Sequence, residues 1–118
     1  MRQAAAERYD ALLSQVEEVI RPCVLEGNEH AWHLYVVRVP DRDRVLKELH
    51  AAGIGAGIHY PVPIHLTSAF AELGYTEGAF PAAERVAREI LSLPLFPEIT
   101  PSQQERVVSV LMAAIKHT

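Results

Sequence analysis

The sequence predicts an α/β fold of the α+β kind, a two-layer sandwich in which a small, mainly antiparallel sheet carries helices on one face. Apolar stripes at helical spacing alternate along the chain with short β-branched and aromatic runs. Glycine and proline occur where these segments should end. The 118 residues suit one domain, residues 1–118, and are too few for two.

The first predicted element is a helix over residues 2–20. Its apolar positions, which include Tyr9, Val16 and Ile20, recur at spacings of three and four and form one stripe. Pro22 ends the helix because proline cannot continue its hydrogen bonding.

The clearest strand covers residues 32–39, where aromatic and β-branched residues dominate. Neither of its two alternating faces is polar, whereas a strand covered on only one side should alternate. We therefore expect helices on one face of the sheet and another domain or subunit on the other.

The middle of the chain predicts a helix, a strand and a short helix. Asp41 suits the N-cap of the first helix, and Gly53 suits the left-handed position after its end. A second strand is expected over residues 54–60, followed by a short helix over residues 65–73.

The last part predicts two helices separated by a short edge strand at residues 92–97. Pro81 fits the first turn of a helix whose buried side continues to residue 91. Thr100 and Gln103 form the pattern of a capping box, so the final helix should begin there.

Composition excludes several classes of function. No apolar run approaches the roughly 20 residues of a spanning helix, and the N-terminus lacks a signal-peptide core, so we expect a cytoplasmic protein without membrane contact. The formal charge is −4 and no basic cluster occurs, which argues against nucleic-acid binding. The single cysteine, Cys23, is expected to be a partly buried, inert thiol.

The densest polar cluster spans residues 59–65, where two histidines and a tyrosine lie on a proline-stiffened loop after a predicted strand. Loops at strand ends commonly display binding groups. Two interpretations remain open for His59 and Tyr60: they contact a ligand, or they cap the edge of the sheet through hydrogen bonds.

Other chemistries lack the residues that they need. The histidine pairs 30/33 and 59/65 have neither a Cys pair nor a helical His-x-x-x-His to complete a zinc site. Nothing in the sequence places a carboxylate behind His65 to activate the nearby hydroxyls. The glycines at 53, 55 and 57 precede a strand, unlike a phosphate loop. The only lysines, Lys47 and Lys116, lie on an outer helix face and near the C-terminus, away from any apolar pocket suited to a Schiff base.

Five stretches, taken in order, resemble the DegT/DnrJ/StrS family of fold-type-I, pyridoxal-phosphate-dependent aminotransferases, which act on nucleotide-linked keto sugars. They are RYDALL at 8–13, HAWHLYVVRV at 30–39, LHAAGI at 49–54, IHYPVPIH at 58–65 and AERVAREILSLPL at 83–95. The His-Tyr-Pro-x-Pro-x-His run and the later Leu-Ser-Leu-Pro run are specific at this order and spacing. The resemblance covers nearly the whole chain, but only the C-terminal third of a typical member.

The resemblance implies that the chain is the small C-terminal domain, with the helix joining it to the large domain in residues 1–21. The family's catalytic lysine and most cofactor contacts lie in the large domain. We therefore expect no catalytic, cofactor-binding or metal-binding residue here, and pyridoxal phosphate only in the full-length enzyme. The resemblance assigns substrate contact at the active-site entrance to His59, Tyr60 and His65. Arg38 is a further candidate for an anion contact, or else a solvated or interdomain arginine.

Two hypotheses of function follow. In the first, the chain is a fragment or truncated paralogue of a sugar aminotransferase. It is inactive alone, associates with a cofactor-bearing large domain or another subunit as a homo-oligomer, and meets the nucleotide sugar only in the complete enzyme. In the second, it is a free-standing binding or protein-interaction module that keeps the fold without the chemistry. The doubly apolar strand favours a missing partner and so the first hypothesis. A monomer with no exposed apolar patch, or self-association that covers that face, would favour the second.

Overall fold

Two short antiparallel strands form the centre of the sheet. The computed structural model describes residues 1–116, in which β1 (Tyr35–Arg38) pairs with β2 (Ile90–Leu93). One isolated bridge extends each edge, from Ile20 to β1 and from Gly57 to β2. The order across the sheet is therefore residue 20, β1, β2 and residue 57, and every pairing is antiparallel.

The helices surround this sheet in two groups. They are α1 (Arg2–Leu13), α2 (Arg42–Ala51), α3 (Pro81–Glu89) and α4 (Pro101–Lys116), with 3-10 turns at Ile64–Leu66 and Ser68–Leu73. α4 packs against both α1 and α2, and these three helices share one apolar core with the sheet. α3 contributes no residue to that core cluster and instead contacts β1. The predicted fold class, an α/β arrangement with a small antiparallel sheet, is confirmed.

The register gives the two faces of the sheet different characters. Directly opposed residues of an antiparallel pair lie on the same face. Tyr35 opposes Leu93 and Val37 opposes Leu91, and none of these side chains is more than 3% exposed. This face meets α1, α2 and α4. The opposite face carries Val36 and Arg38 of β1 with Ser92 and Ile90 of β2.

Buried polar groups fix the helices to one another. Gln104 of α4 is fully buried, where its Nε2 donates to the Ala5 carbonyl of α1 over 2.7 Å and its Oε1 accepts from Arg8. Tyr9 donates to the Pro94 carbonyl, and Tyr35 donates to Asp10, each over 2.5 Å. The buried polar groups of Gln104, Tyr9 and Tyr35 therefore each have a hydrogen-bond partner, as polar groups in a close-packed interior require.

The end of α3 is held by a buried arginine. The Nη1 atom of Arg42 donates to the carbonyls of Ala87 and Ile90 over 2.8 and 2.9 Å. A cation at a helix C-terminus satisfies carbonyls that have no partner within the helix. This contact joins the start of α2 to the junction between α3 and β2.

The helix predicted over residues 2–20 ends at Leu13, so that boundary was wrong. Beyond it the chain turns, and Val16 N donates to Leu13 O over 3.0 Å. Ile20 then becomes extended and exchanges two backbone hydrogen bonds with Arg38, of 2.9 and 3.0 Å. Periodicity misses this end because Val16 stays buried in the turn, and sheet pairing determines the backbone at Ile20.

The predicted strands also differ from the observed ones. The strand at residues 32–39 begins only at Tyr35, since Trp32 has a φ of 53° and interrupts the extended run. The strand at residues 54–60 is reduced to the single bridge at Gly57. The strand at residues 92–97 lies earlier, at Ile90–Leu93, and is central because it pairs on both sides.

Smaller predictions had mixed outcomes. The Thr100–Gln103 capping box is confirmed, with reciprocal hydrogen bonds of 2.8 and 3.1 Å, and Gly53 has the expected positive φ. Asp41 precedes α2 but makes no cap hydrogen bond, because its carboxylate pairs with Arg44 over 2.6 Å. Residues 65–73 form 3-10 turns in place of the predicted short helix, and α3 ends before Ile90, earlier than its predicted buried side. Cys23 is exposed, so the prediction of a partly buried thiol was wrong.

Replacing Gln104 with leucine should lower the free energy of unfolding by about 2 kcal/mol, because the Ala5 carbonyl and the Arg8 guanidinium lose a buried partner. Urea denaturation measures this change. The matched control is Gln3→Leu on the exposed side of α1, which should change stability by less than about 0.5 kcal/mol. Equal effects of the two substitutions would contradict a role for the Gln104 hydrogen bonds.

Stability should fall above pH 10 because of the two buried tyrosines. Burial raises the pKa of Tyr9 and, together with the Asp10 carboxylate, that of Tyr35 above the ordinary 10.0. Above pH 10 these tyrosines ionise in the unfolded chain but not in the folded chain. Their contribution to the free energy of unfolding is therefore fully present below pH 10 and is lost as pH rises. Each tyrosine contributes a slope of about 1.4 kcal/mol per pH unit. Urea unfolding across this pH range should show roughly half the slope in Tyr9→Phe and an unchanged slope in Tyr75→Phe.

Candidate functional site

A cavity opens on the face of the sheet that α1, α2 and α4 do not cover. It has a volume of about 590 Å³ and lies between α3, Ile90 of β2 and the segment of residues 60–80. All of the aromatic residues described in its lining belong to that segment, namely Tyr60, His65, Phe70, Tyr75 and Phe80. Within the described chain, no lysine, arginine, aspartate or glutamate lines it. The site is therefore an apolar, aromatic cavity with a histidine in its wall.

His59 is tied to the sheet at the edge of this segment. Its Nδ1 lies 2.8 Å from the Ser92 hydroxyl of β2, next to the bridge at Gly57. The ring remains exposed and meets the Tyr60 ring edge-on at 5.5 Å, across a cis peptide bond. His59 thus makes the hydrogen bond to the sheet edge that the capping alternative requires, while Tyr60 is 73% exposed at the cavity.

His65 has a different environment, because it is buried against α3. Its Nε2 lies 3.0 Å from Oε2 of Glu84. The same carboxylate accepts the backbone N–H groups of Gly78 over 2.8 Å and Phe80 over 3.0 Å. The Gly78 N–H in particular, then those of Phe80 and His65, hold the pKa of Glu84 below its ordinary 4.5, although burial opposes this shift. Glu84 therefore stays ionised at neutral pH.

Aromatic contacts continue the wall from His65. The Phe80 ring lies 4.8 Å from His65, and Tyr75 lies 5.1 Å from Phe80, both edge-on. Edge-to-face pairs at these distances stabilise a defined ring geometry. Tyr75 and Phe80 are nonetheless 49% and 44% exposed, so their outer surfaces face solvent in this chain.

Arg38 lies apart from the other three predicted site residues. It lines a separate depression with Ile20 and Pro40, and its guanidinium forms an ion pair with Glu89 at 2.6 Å. The structure thus brings Tyr60 and His65 to one cavity, with His59 adjacent, and leaves Arg38 at a second location. An existing carboxylate partner makes Arg38 less available to an anion.

Sequence reasoning did not identify Glu84. The available signal was an acidic residue in the first turn of a helix that begins with proline, a position where a carboxylate can accept free backbone N–H groups. That pattern indicates a helix start, but it does not show that His65 and the preceding loop meet there.

The sequence model of the DegT/DnrJ/EryC1/StrS aminotransferase family matches residues 1–112 of the 118. The chain belongs to this family. Among its relatives, a dTDP-3-amino-3,4,6-trideoxy-alpha-D-glucose transaminase of Micromonospora megalomicea subsp. nigra is 39% identical over 97% of this chain and 32% of its own length. A pleiotropic regulatory protein of Geobacillus stearothermophilus is 40% identical over 98% of this chain and 32% of its own.

Solved structures of the family share the fold closely. The crystal structure of S. venezuelae DesV in complex with a ketimine intermediate matches with a TM-score of 0.92 and 35% identity, over 99% of this chain and 32% of that one. The chain thus spans about a third of the length of the relatives that it matches. The family consists of aminotransferases, enzymes that depend on pyridoxal phosphate.

The residues of this chain do not fit that cofactor. Lys47 on α2 and Lys116 at the end of α4 are both exposed, and neither lines the cavity. Among the described residues that line the cavity, none is a lysine or arginine that could hold a phosphate. Among residues 1–116, no group of three or more His, Cys, Asp or Glu side chains could hold a metal ion. No helix in this range is long and apolar enough to cross a membrane.

Proposed function

We propose that this chain is the C-terminal part of a pyridoxal-phosphate-dependent aminotransferase acting on nucleotide-linked keto sugars, and that it lines the substrate entrance. The observation that carries the proposal is the family match over residues 1–112 together with the open cavity bounded by residues 60–80. The relatives include transaminases named for dTDP-linked aminosugars and for a UDP-linked aminosugar, which supports a nucleotide sugar as the substrate class.

The surface of the cavity supports association with a further part of the enzyme. Tyr60, Ile64 and Leu73 are 73%, 72% and 63% exposed, and they lie close together around one opening. A cluster of exposed apolar side chains marks an interface or a binding site. In the proposed enzyme, a cofactor-bearing large domain or a second subunit shares this opening, and residues 1–21 lead from the large domain.

The proposed roles differ among the four site residues. Tyr60 contacts substrate, because its ring is exposed at the cavity and fixed by His59 behind it. His59 combines a hydrogen bond to Ser92 with an exposed ring, so it both anchors the segment and contacts substrate. His65 lines the wall, with its Nε2 occupied by Glu84. Arg38 lies in the separate depression, where an anion would have to compete with Glu89 for its guanidinium.

In this proposal the chain supplies shape and exclusion of water to the active site. An apolar wall that excludes water strengthens the electrostatic interactions of groups placed opposite it. Amino-group transfer itself requires the cofactor and its lysine, which would belong to the other part of the enzyme.

The alternative hypothesis, a free-standing binding or interaction module, shares the same surface. Gly57 pairs with Ser92 at the edge of the sheet and His59 hydrogen bonds to the Ser92 hydroxyl, while Val36 and Arg38 of β1 remain half-buried. Exposed aromatic rings around the cavity favour the first hypothesis, because a module without a partner would leave them in water.

The chain alone should not form a covalent adduct with pyridoxal phosphate. Neither lysine lies in an apolar pocket that would favour its neutral, nucleophilic form. We expect no shift of the cofactor's visible absorption on mixing, and no labelled lysine after borohydride reduction and mass spectrometry. A stoichiometric adduct on Lys47 or Lys116 would contradict the claim that this chain is catalytically incomplete.

A chimera tests the proposed role directly. Residues 1–118 replace the matching segment of the Micromonospora transaminase, and turnover of a dTDP-linked keto sugar is followed. We expect activity, and an increase in KM of about tenfold in Tyr60→Ala, the loss of roughly 1.4 kcal/mol of binding. Arg106→Ala, on the far side near Ala52, is the matched control and should leave KM unchanged. A folded, cofactor-loaded chimera without turnover would refute the proposal.

A further inference from the structure

The wall of the cavity depends on one carboxylate that does not itself line it. Glu84 is 7% exposed and lies behind His65 and Phe80, at the first turn of α3. We propose that Glu84 is the positioning residue of this site: its carboxylate holds the 59–65 segment and the loop of residues 75–80 together, and so sets the shape of the aromatic wall.

The two oxygens of Glu84 divide their hydrogen bonds between both segments. Oε1 accepts from the Gly78 N–H, and Oε2 accepts from the Phe80 N–H and from His65. A buried carboxylate with three charge-assisted hydrogen bonds is held firmly, and so are its donors. Removing the charge would leave these donors without a full set of acceptors.

Glu84 is the main attachment of the loop before α3 within residues 1–116. In residues 75–80 the remaining backbone hydrogen bond within the loop joins Ala79 to Thr76, and Phe80 O accepts the backbone N–H of Glu84 itself. In the described chain, the hydrogen bonds that this loop makes to residues outside it therefore all end on Glu84. Ring contacts of Tyr75 and Phe80 with His65 are the other connection.

The carboxylate also determines which nitrogen of His65 carries the proton. An ionised carboxylate can only accept hydrogen bonds, so Nε2 must be the donor. In the neutral ring Nδ1 then has a free lone pair. Glu84 thus sets the tautomer of the histidine in the wall as well as its position.

Few other charged side chains are placed to pair with the Glu84 carboxylate. His65 is the titratable side chain in hydrogen-bond contact with it, and Tyr75 packs on His65. On α3 the neighbouring Arg85 is exposed and lies 3.8 Å from Glu89 instead, while Arg88 and the loop residue Glu77 are exposed.

This inference rests on the proposed function only in treating the cavity as substrate-facing. The positioning itself is a property of the chain.

Nuclear magnetic resonance on the 118-residue chain tests the inference without any substrate. In the wild type, the amide shifts of Gly78 and Phe80 should follow one shared transition with a midpoint below pH 4.5. The ring nitrogen of His65 that carries the hydrogen toward Glu84 should be Nε2. In Glu84→Gln the transition should vanish, and hydrogen exchange at both amides should rise about tenfold, the equivalent of one lost hydrogen bond. Glu84→Asp, which keeps the charge, should restore the transition.

The control is Glu77→Gln, an exposed change of the same charge in the same loop. It should leave the transition intact and exchange within about twofold of the wild type. Exchange in Glu84→Gln within that same margin would overturn the proposal. If this variant does not fold, the wild-type titration decides, and independent midpoints for Gly78 and Phe80 would overturn it. An inactive chimera would refute the proposed function and leave this result unaffected.

Discussion

The antiparallel register of β1 and β2 is the constraint on which the other contacts depend. It places Tyr35, Val37, Leu91 and Leu93 on one face, where they form the floor of the core under α1, α2 and α4. The same register necessarily turns Ser92 and Ile90 the other way. A shift by one residue would exchange the two faces, so the core and the candidate site are specified together.

From that second face the site is built in successive contacts. Ser92 anchors His59, Gly57 closes the edge of the sheet, and the chain then leaves through the prolines toward His65. Ile90 forms part of the cavity floor where α3 gives way to β2. Arg42 holds this junction by binding the carbonyls on both sides of it. The shape of the cavity therefore depends on the sheet as well as on the loop that lines it.

Local signals in the sequence predicted the fold class, the Thr100–Gln103 capping box and the start of α3, because each depends on residues close together in the chain. The segment of residues 59–65 was identified for the same reason: its histidines, tyrosine and prolines are contiguous. Element boundaries failed where distant pairing decided them, as at Ile20, which is extended only because Arg38 lies beside it. Glu84 was missed because its partners come from separate segments, and no local pattern reports such a meeting.

The charge-free lining of the cavity has a consequence for how the two parts of the proposed enzyme would share a ligand. A nucleotide sugar carries phosphate charges, and within residues 1–116 this wall has no lysine or arginine to neutralise them. Attraction between exposed charges weakens as ionic strength rises, whereas burial of an apolar ring does not. The contribution of this wall to affinity would be insensitive to salt, and the salt dependence of binding would report on the remainder of the active site.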